Sequence, residues 1–276
     1  MGYQFTNEEL LQIEKKIPKY EKHEFFEKKN KYALIIAIMN EGDRFISQIN
    51  KMKEANIFNI CDVFICDGSD EDKLLSLDFI ESIGTRKFLI NKSESKGRTL
   101  KLKQLLYEAS MDNYEGVIMV DGNDKDSVDE CLYLFIEKLD EGYDLIQSTR
   151  FTLGGKEENT PLLRKIGLRL IASPLISFVS GFHYDDVLNG FRAFSKIFIL
   201  DKRIDLFREE FIYYEYDIYP LVHVKKLGYK VCQVPTIRKY PKNQMPSKIK
   251  GMLNIKLFFY IIQNAFSKPK KIDDNQ

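Results

Sequence analysis

The chain has no tryptophan, and only three histidines and four cysteines in 276 residues. The histidines (His23, His183, His223) are scattered, and the cysteines (Cys61, Cys66, Cys131, Cys232) show neither CxxC pairing nor zinc-ligand spacing. Both facts argue against a structural zinc site. Most of the thiols sit in apolar segments, which reads as reduced, buried residues and a cytoplasmic address. Charge of one sign is also missing. Lys and Arg number 42 against 41 Asp and Glu, for a net charge of +1, so no global electrostatic case for nucleic acid exists. The N-terminus lacks the apolar core of a signal peptide. No uninterrupted apolar run reaches the roughly 18 residues that a membrane-spanning helix needs, and no internal repeat or low-complexity stretch is present.

What is present is an ordinary globular balance, 44% hydrophobic and 30% charged, with 20 Phe and 15 Tyr. That length and composition suit one large α/β domain with an elaborated C-terminal third. Residues 1–30 read as a polar helical lead-in, with Thr6-Asn7-Glu8-Glu9 fitting a capping box. Thereafter the pattern alternates. Strands are expected at Tyr32–Met39, Val63–Cys66, Lys87–Ile90, Val117–Val120 and Asp144–Ser148. Helices are expected at about Asp43–Ala55, Thr99–Ala109 and Val128–Leu139, the second with an apolar face of Leu100, Leu102, Leu105, Leu106 and Ala109. Strands separated by helices imply a mostly parallel sheet covered on both faces. Ligands of such sheets bind beyond the carboxyl ends of the strands, where helix N-termini also point. Further on, Leu162–Phe178 reads as a helix kinked or divided by Pro174. Val187–Phe194 reads as extended, Phe211–Leu227 as a helix, Tyr229–Val234 as a strand and Ile249–Phe266 as a last helix.

Polar clusters close the strands. The first ends Ile38-Met39-Asn40-Glu41, the second Cys66-Asp67-Gly68-Ser69-Asp70, the fourth Asp121-Gly122-Asn123-Asp124-Lys125-Asp126 and the fifth Ser148-Thr149-Arg150-Phe151. Later comes Asp186-Val187-Leu188-Asn189-Gly190-Phe191-Arg192-Ala193-Phe194. In this order and spacing, across about residues 32–250, the clusters resemble family 2 glycosyltransferases. The similar branch includes the dolichyl-phosphate mannose and glucose synthases. The resemblance implies a GT-A fold, a Rossmann-like, mostly parallel sheet flanked by helices, with acceptor-side helices towards the C-terminus. It divides the chain into a lead-in (1–30), a GT-A domain (31–245) and a C-terminal amphipathic helix with its tail (246–276).

Each cluster has a physical rationale beside its family one. A carboxylate at a strand end can accept hydrogen bonds from a base edge or a ribose. The resemblance places Ile38, Asn40, Glu41 and Asp67 near the nucleoside, with Asp67 as the foremost contact; the plain alternative is a turn and helix cap. Asp121-Gly122-Asn123 stands where the family carries Asp-x-Asp. A donor linked through a diphosphate needs charge neutralised as the nucleotide leaves, and a divalent cation (Mn2+ or Mg2+) on oxygen ligands does that. Asp121 and Asn123 are the expected metal ligands, and Gly122 would let the backbone approach the phosphates. Asn123 departs from the family's second acid: either it coordinates more weakly or Asp124 takes over.

Lys96 and Arg98, before a helix, would bring positive charge to the diphosphate. Arg150 and Arg192 are candidate anion clamps, because arginine's planar fork suits phosphate oxygens. In the similar family the Arg150 position faces a phosphorylated acceptor, and the 186–194 segment, with Asn189 and Gly190, lines the sugar pocket. Glu215 and Asp217 open a helix where inverting members place acceptor-facing acids, Asp217 being preferred as general base; a phosphate acceptor needs no base. Lys248, in a basic loop, would contact the donor's diphosphate.

The expected function is therefore metal-assisted, inverting transfer from a nucleotide-sugar to a polyprenyl phosphate or a glycan. A nucleotidyltransferase and a non-catalytic nucleotide-sugar-binding subunit are the rival readings. The helix Leu253–Phe266 is too short to span a bilayer and too apolar to be freely exposed, and Leu162–Phe178 carries Arg164, Lys165 and Arg169 beside an apolar run. Peripheral docking on the cytoplasmic face of a membrane is one reading. Core packing or a homodimer interface is the other.

Overall fold

A computed structural model describes residues 4–95, 97–213 and 215–241, together with 263, 268 and 269. The first helix, α1 (Asn7–Ile13), starts on the expected capping box, Thr6 and Glu9 satisfying each other's backbone N–H groups. Leu10, Ile13 and Ile17 are buried in the core beneath it, so this segment is docked tightly. The helical reading of residues 1–30 is corrected beyond Lys16, where β1 (Tyr20–Glu24) forms an antiparallel edge strand.

Then follow β2 (Tyr32–Ile38), α2 (Asp43–Glu54), α3 (Ile57–Ile60), β3 (Asp62–Asp67), α4 (Leu77–Ser82) and β4 (Lys87–Asn91). Next are α5 (Arg98–Met111), β5 (Gly116–Asp121), α6 (Val128–Asp140), β6 (Leu145–Thr149) and β7 (Lys156–Glu158). The last third holds α7 (Leu162–Gly167), α8 (Ser173–Ser180), β8 (Arg192–Ser195), α9 (Lys196–Ile199), α10 (Glu215–His223), β9 (Val231–Pro235) and β10 (Ile237–Lys239). Eight strands form one sheet in the order β1-β4-β3-β2-β5-β8-β6-β9, and β10 pairs in parallel with β7 in a second, small sheet. Only β1 and β8 run against the rest of the large sheet. Every residue of β2 is buried. Ala33, Ile35 and Ala37 enter the core on one face, and Leu34, Ile36 and Ile38 the core on the other. That alternation into two apolar layers is why the strand reads as an unbroken apolar run.

The chain winds outward from β2 through β3 to β4, then returns to place β5 on the other side of β2. Strand order reverses there, which opens a crevice at the carboxyl ends of β2 and β5.

Helix α5 differs from its sequence pattern: it is buried all round from Thr99 to Ala109, not on one apolar face. Its polar residues are paired inside: Lys103 donates to the Arg208 carbonyl at 2.6 Å, and Glu108 accepts from Lys87 at 2.8 Å. Around Pro174 the chain stays helical but is divided. A π-helical stretch, Leu168–Ala172, precedes it, and Pro174 takes the first turn of α8, where a missing N–H costs nothing.

Candidate active site

The ends of β2 and β3 and the start of α2 enclose a cavity of about 270 Å³. Ile38, Phe45 and Leu75 give it apolar walls, and Asn40, Glu41 and Asp67 bring polar groups. Four residues expected at the nucleoside thus share one cavity. Asp67 is fully buried, and its two oxygens accept backbone N–H groups from Ser69 (2.8 Å) and Leu75 (3.3 Å). It therefore shapes the 67–75 loop as well as lining the cavity. Asn40 also has a structural task. Its φ is +54°, a left-handed conformation that asparagine tolerates. Its side chain exchanges hydrogen bonds with Asp70 at 2.9 and 3.1 Å, which ties the two strand-end loops together.

Gly122 is required for packing. A Cβ there would lie 2.3 Å from Ile38 Cγ2 and 3.0 Å from Phe45, on the side facing the core. Asp121, at the end of β5, meets Arg98 Nε at 2.5 Å, and Arg98 Nη1 reaches Asp217 at 3.1 Å. Gly190 lies against the same arginine, where a Cβ would come within 2.5 Å of its Nη2 and 3.6 Å of Asp121 Oδ2. Burial alone would raise the Asp121 carboxyl, but the charges of Arg98 and Arg238 outweigh it and hold it below the ordinary carboxylate range. One arginine at the N-terminus of α5 therefore joins Asp121, Asp217 and Gly190 at the mouth of the sheet.

Metal ligation is narrower than Asp-x-Asp would give. Among the described residues no group of three His, Cys, Asp or Glu side chains could hold a metal. The Asp124 carboxylate is held by Ser47 and Lys51 of α2, each at 2.7 Å. Asn123 receives only the Lys125 N–H, at 3.3 Å. The donor set is thus one carboxylate with one amide oxygen beside it. These hard oxygens fit a divalent cation only when a ligand's phosphates complete the coordination.

Arg192, expected as an anion clamp, has a structural task. It is fully buried and donates to the carbonyls of Tyr216 (2.8 Å), Asp217 (3.0 Å) and Asn189 (2.8 Å). Pro220 lies inside α10 and has no N–H, so the i+4 donor that a helix would offer the Tyr216 carbonyl is missing. Arg192 takes that carbonyl, and burial brings its pKa down to about 10. It braces α10 from within, and its Nη2 stands 3.7 Å from the Asp217 carboxylate. Arg150 is also buried, and Asp186 grips it through two bonds at 2.7 and 3.2 Å. Only its Nη1 remains, 3.4 Å from the Tyr240 hydroxyl. Lys96, Lys248, the Glu215 side chain and the helix Leu253–Phe266 lie outside the described residues.

Sequence reasoning did not assign Arg238 to the site. It pairs with Asp126 and donates to Asn189 Oδ1 at 3.1 Å, linking the β5 end to the 186–190 segment. Burial pushes the Asp126 carboxyl up in spite of that pairing. The signal for it is the two-residue period of Ile237-Arg238-Lys239-Tyr240, which puts Arg238 and Tyr240 on one face of a strand.

No protein-family model and no curated protein matches the chain. Solved structures do. Glucosyl-3-phosphoglycerate synthase from Mycobacterium tuberculosis, in complex with Mn2+, UDP and glucosyl-3-phosphoglycerate, aligns over 97% of this chain and 86% of its own. The TM-score is 0.61 and the identity 14%. The same enzyme with Mn2+ and UDP-glucose gives 0.60 at 14% identity, over 97% of this chain and 85% of that one. A further mycobacterial protein gives 0.62 at 15%, over 96% and 80%. The fold is that of a GT-A glycosyltransferase. At this identity the likeness is one of fold, and the chemistry has to be argued from the side chains.

Proposed function

We propose that this chain is a hexosyltransferase that moves a sugar from a nucleoside-diphosphate donor onto an anionic, lipid-linked acceptor of the polyprenyl-phosphate kind. The observation that carries the reading is at the β2/β5 crevice: Ile38 and Phe45, walls of the cavity under Asp67, pack against Gly122, the residue after Asp121 of the Asp121–Arg98–Asp217 cluster. UDP-sugars are the first donors to test, since the GT-A neighbours were solved with UDP and UDP-glucose.

Asp67 and Glu41 would receive the nucleoside, leaving the diphosphate to extend towards Asp121. A divalent cation held by Asp121, with Asn123 beside it, would neutralise the charge that builds on the departing nucleotide. Arg98, keeping its contact with Asp217, would turn the rest of its planar fork to the diphosphate, whose oxygens it matches. Arg150, Arg164 and Arg238 would hold the acceptor's anion with one oxygen directed at the anomeric carbon. Displacement there breaks the bond to the diphosphate, which leaves with the electron pair, and inverts the centre. The carboxylates at the mouth support an anionic acceptor over a hydroxyl. Asp121 and Asp217 engage Arg98, Asp126 engages Arg238 and Asp186 engages Arg150. A hydroxyl needs a base, whereas a phosphate oxygen is already charged.

The lipid part of the reading rests on α7. Arg164 points inward to the Tyr240 hydroxyl at 3.3 Å, while Leu162 and Leu163 of the same helix are 70% and 85% exposed. Charged head and apolar tail of one acceptor would meet the two faces of one helix.

The test is transfer from a panel of UDP- and GDP-sugars, with Mn2+, to a short-chain polyprenyl phosphate and in parallel to 3-phosphoglycerate. Transfer to the polyprenyl phosphate that stops with chelator and in Asp121→Ala is expected. Transfer indifferent to chelator, or confined to the soluble acceptor, would overturn the metal or the lipid part respectively.

A further inference from the structure

Three guanidinium groups from three separate elements meet at one oxygen. Arg150 follows β6, Arg164 lies on α7 and Arg238 on β10, and they stand 3.4, 3.3 and 3.4 Å from the Tyr240 hydroxyl. Lys125, from the β5–α6 loop, lies over the same ring at 5.3 Å. A phenol oxygen has two lone pairs and must also place its own proton. Three N–H donors exceed what a neutral phenol accepts, and they match an oxyanion.

The charges agree with that geometry. Asp186 pairs with Arg150 and Asp126 with Arg238, while no described carboxylate pairs with Arg164 or Lys125. Two positive charges are therefore left over around a neutral group. Fully buried Asn189 accepts from Arg238 through Oδ1, and its Nδ2 has no partner among the described residues.

We propose that the Tyr240 hydroxyl is a built-in stand-in for the acceptor's anionic group, seated on Arg150, Arg164 and Arg238, and that the anion binds by displacing it. Tyr240 is a gate for the seat and not a catalytic residue. The backbone need not move for this. Its N–H donates to the Glu158 carbonyl at 2.9 Å, and its carbonyl accepts from Asn159 at 3.1 Å; with the backbone so anchored, displacement would be by rotation of the side chain. Burial would raise the Tyr240 phenol, but Arg238, Arg164 and Arg150 outweigh it and bring it down to about 8, as expected of an oxygen lodged in an anion seat. The inference rests on the proposed transfer only for the identity of the anion.

A self-occupied seat lowers the apparent affinity of its ligand by the fraction of molecules in which the seat is open. Removing the hydroxyl removes that competition. Inorganic phosphate, titrated calorimetrically into the full chain with UDP and Mn2+ saturating, is the probe. Tyr240→Phe should bind phosphate about tenfold more tightly than wild type, which corresponds to about 1.4 kcal/mol, and Arg164→Gln should bind it more weakly. In wild type carrying 3-fluorotyrosine, the resonance that Tyr240→Phe deletes should shift with phosphate and stay put with UDP and Mn2+ alone. Equal or weaker phosphate binding by folded Tyr240→Phe, or an unmoved resonance, would overturn the gate. Undiminished binding by Arg164→Gln would overturn the seat. Absence of sugar transfer with these phosphate responses intact would instead count against the proposed transferase activity.

Discussion

Asp67 performs two tasks that a single substitution confounds. It lines the cavity, and it accepts the Ser69 and Leu75 N–H groups that set the following loop. Asp67→Ala leaves both donors without that acceptor, so a stability loss of about 1–3 kcal/mol accompanies any loss of affinity. Asp67→Asn retains an acceptor oxygen and the shape of the side chain. Nucleoside diphosphate titrated into both variants should bind about tenfold more weakly to Asp67→Asn than to wild type, and more weakly still to Asp67→Ala. Undiminished affinity in Asp67→Asn, with Tm unchanged, would remove Asp67 from the nucleoside site. The same residue shows why its position was legible: an acid closing a buried parallel strand can only emerge at the crevice. Asn40 shows the limit. Its place was legible, but its duty to Asp70 depends on a second loop whose path the local pattern does not give.

At the scale of elements, Arg192 and Pro220 form one unit. The proline removes the i+4 donor to the Tyr216 carbonyl, and the arginine donates to it. Arg192→Met should destabilise the chain by about 3–5 kcal/mol, because buried carbonyls lose charged donors. Pro220→Ala restores an N–H to α10, so the double variant should recover part of that loss, a coupling read by chemical denaturation. Additive losses would refute the pairing. A fall in ligand affinity at unchanged stability would return Arg192 to its expected role as an anion clamp. The central strands and α2, α5 and α6 were legible because apolar runs and periodicity reflect burial directly. The strands β1, β7 and β10 were not. Tyr-Glu-Lys-His-Glu and Lys-Glu-Glu are polar edge segments, and a strand held mainly by ladder hydrogen bonds leaves little trace in hydrophobicity. Arg238 and Tyr240 were missed with β10, since their role depends on pairing with β7, far back in the chain.

Across the whole molecule, the large exposed apolar side chains are unevenly distributed. Leu153, Leu162, Leu163, Leu170 and Phe178 are each at least 70% exposed, and they come from α7, α8 and the segments beside them. Lys165 and Arg169 border them, as expected of a face that docks on an anionic bilayer. Among the described residues no helix is long and apolar enough to cross a membrane, so the face would lie on the surface without inserting a span. Because these side chains are already exposed, acidic substitutions there should leave the fold intact, a control that buried apolar positions cannot offer. Wild type should sediment with vesicles containing anionic lipid at low salt, and Leu163→Glu with Leu170→Glu should stay in the supernatant at unchanged Tm. Salt should weaken the wild-type interaction, since screening acts on the exposed lysine and arginine before it acts on apolar burial. If the wild type ignores the vesicles and the double variant converts a dimer to a monomer in sedimentation velocity, the face belongs to a second copy of the chain. The lipid part of the proposed acceptor would then fall, while the phosphate seat at Tyr240 and the cavity under Asp67 would stand on their own evidence.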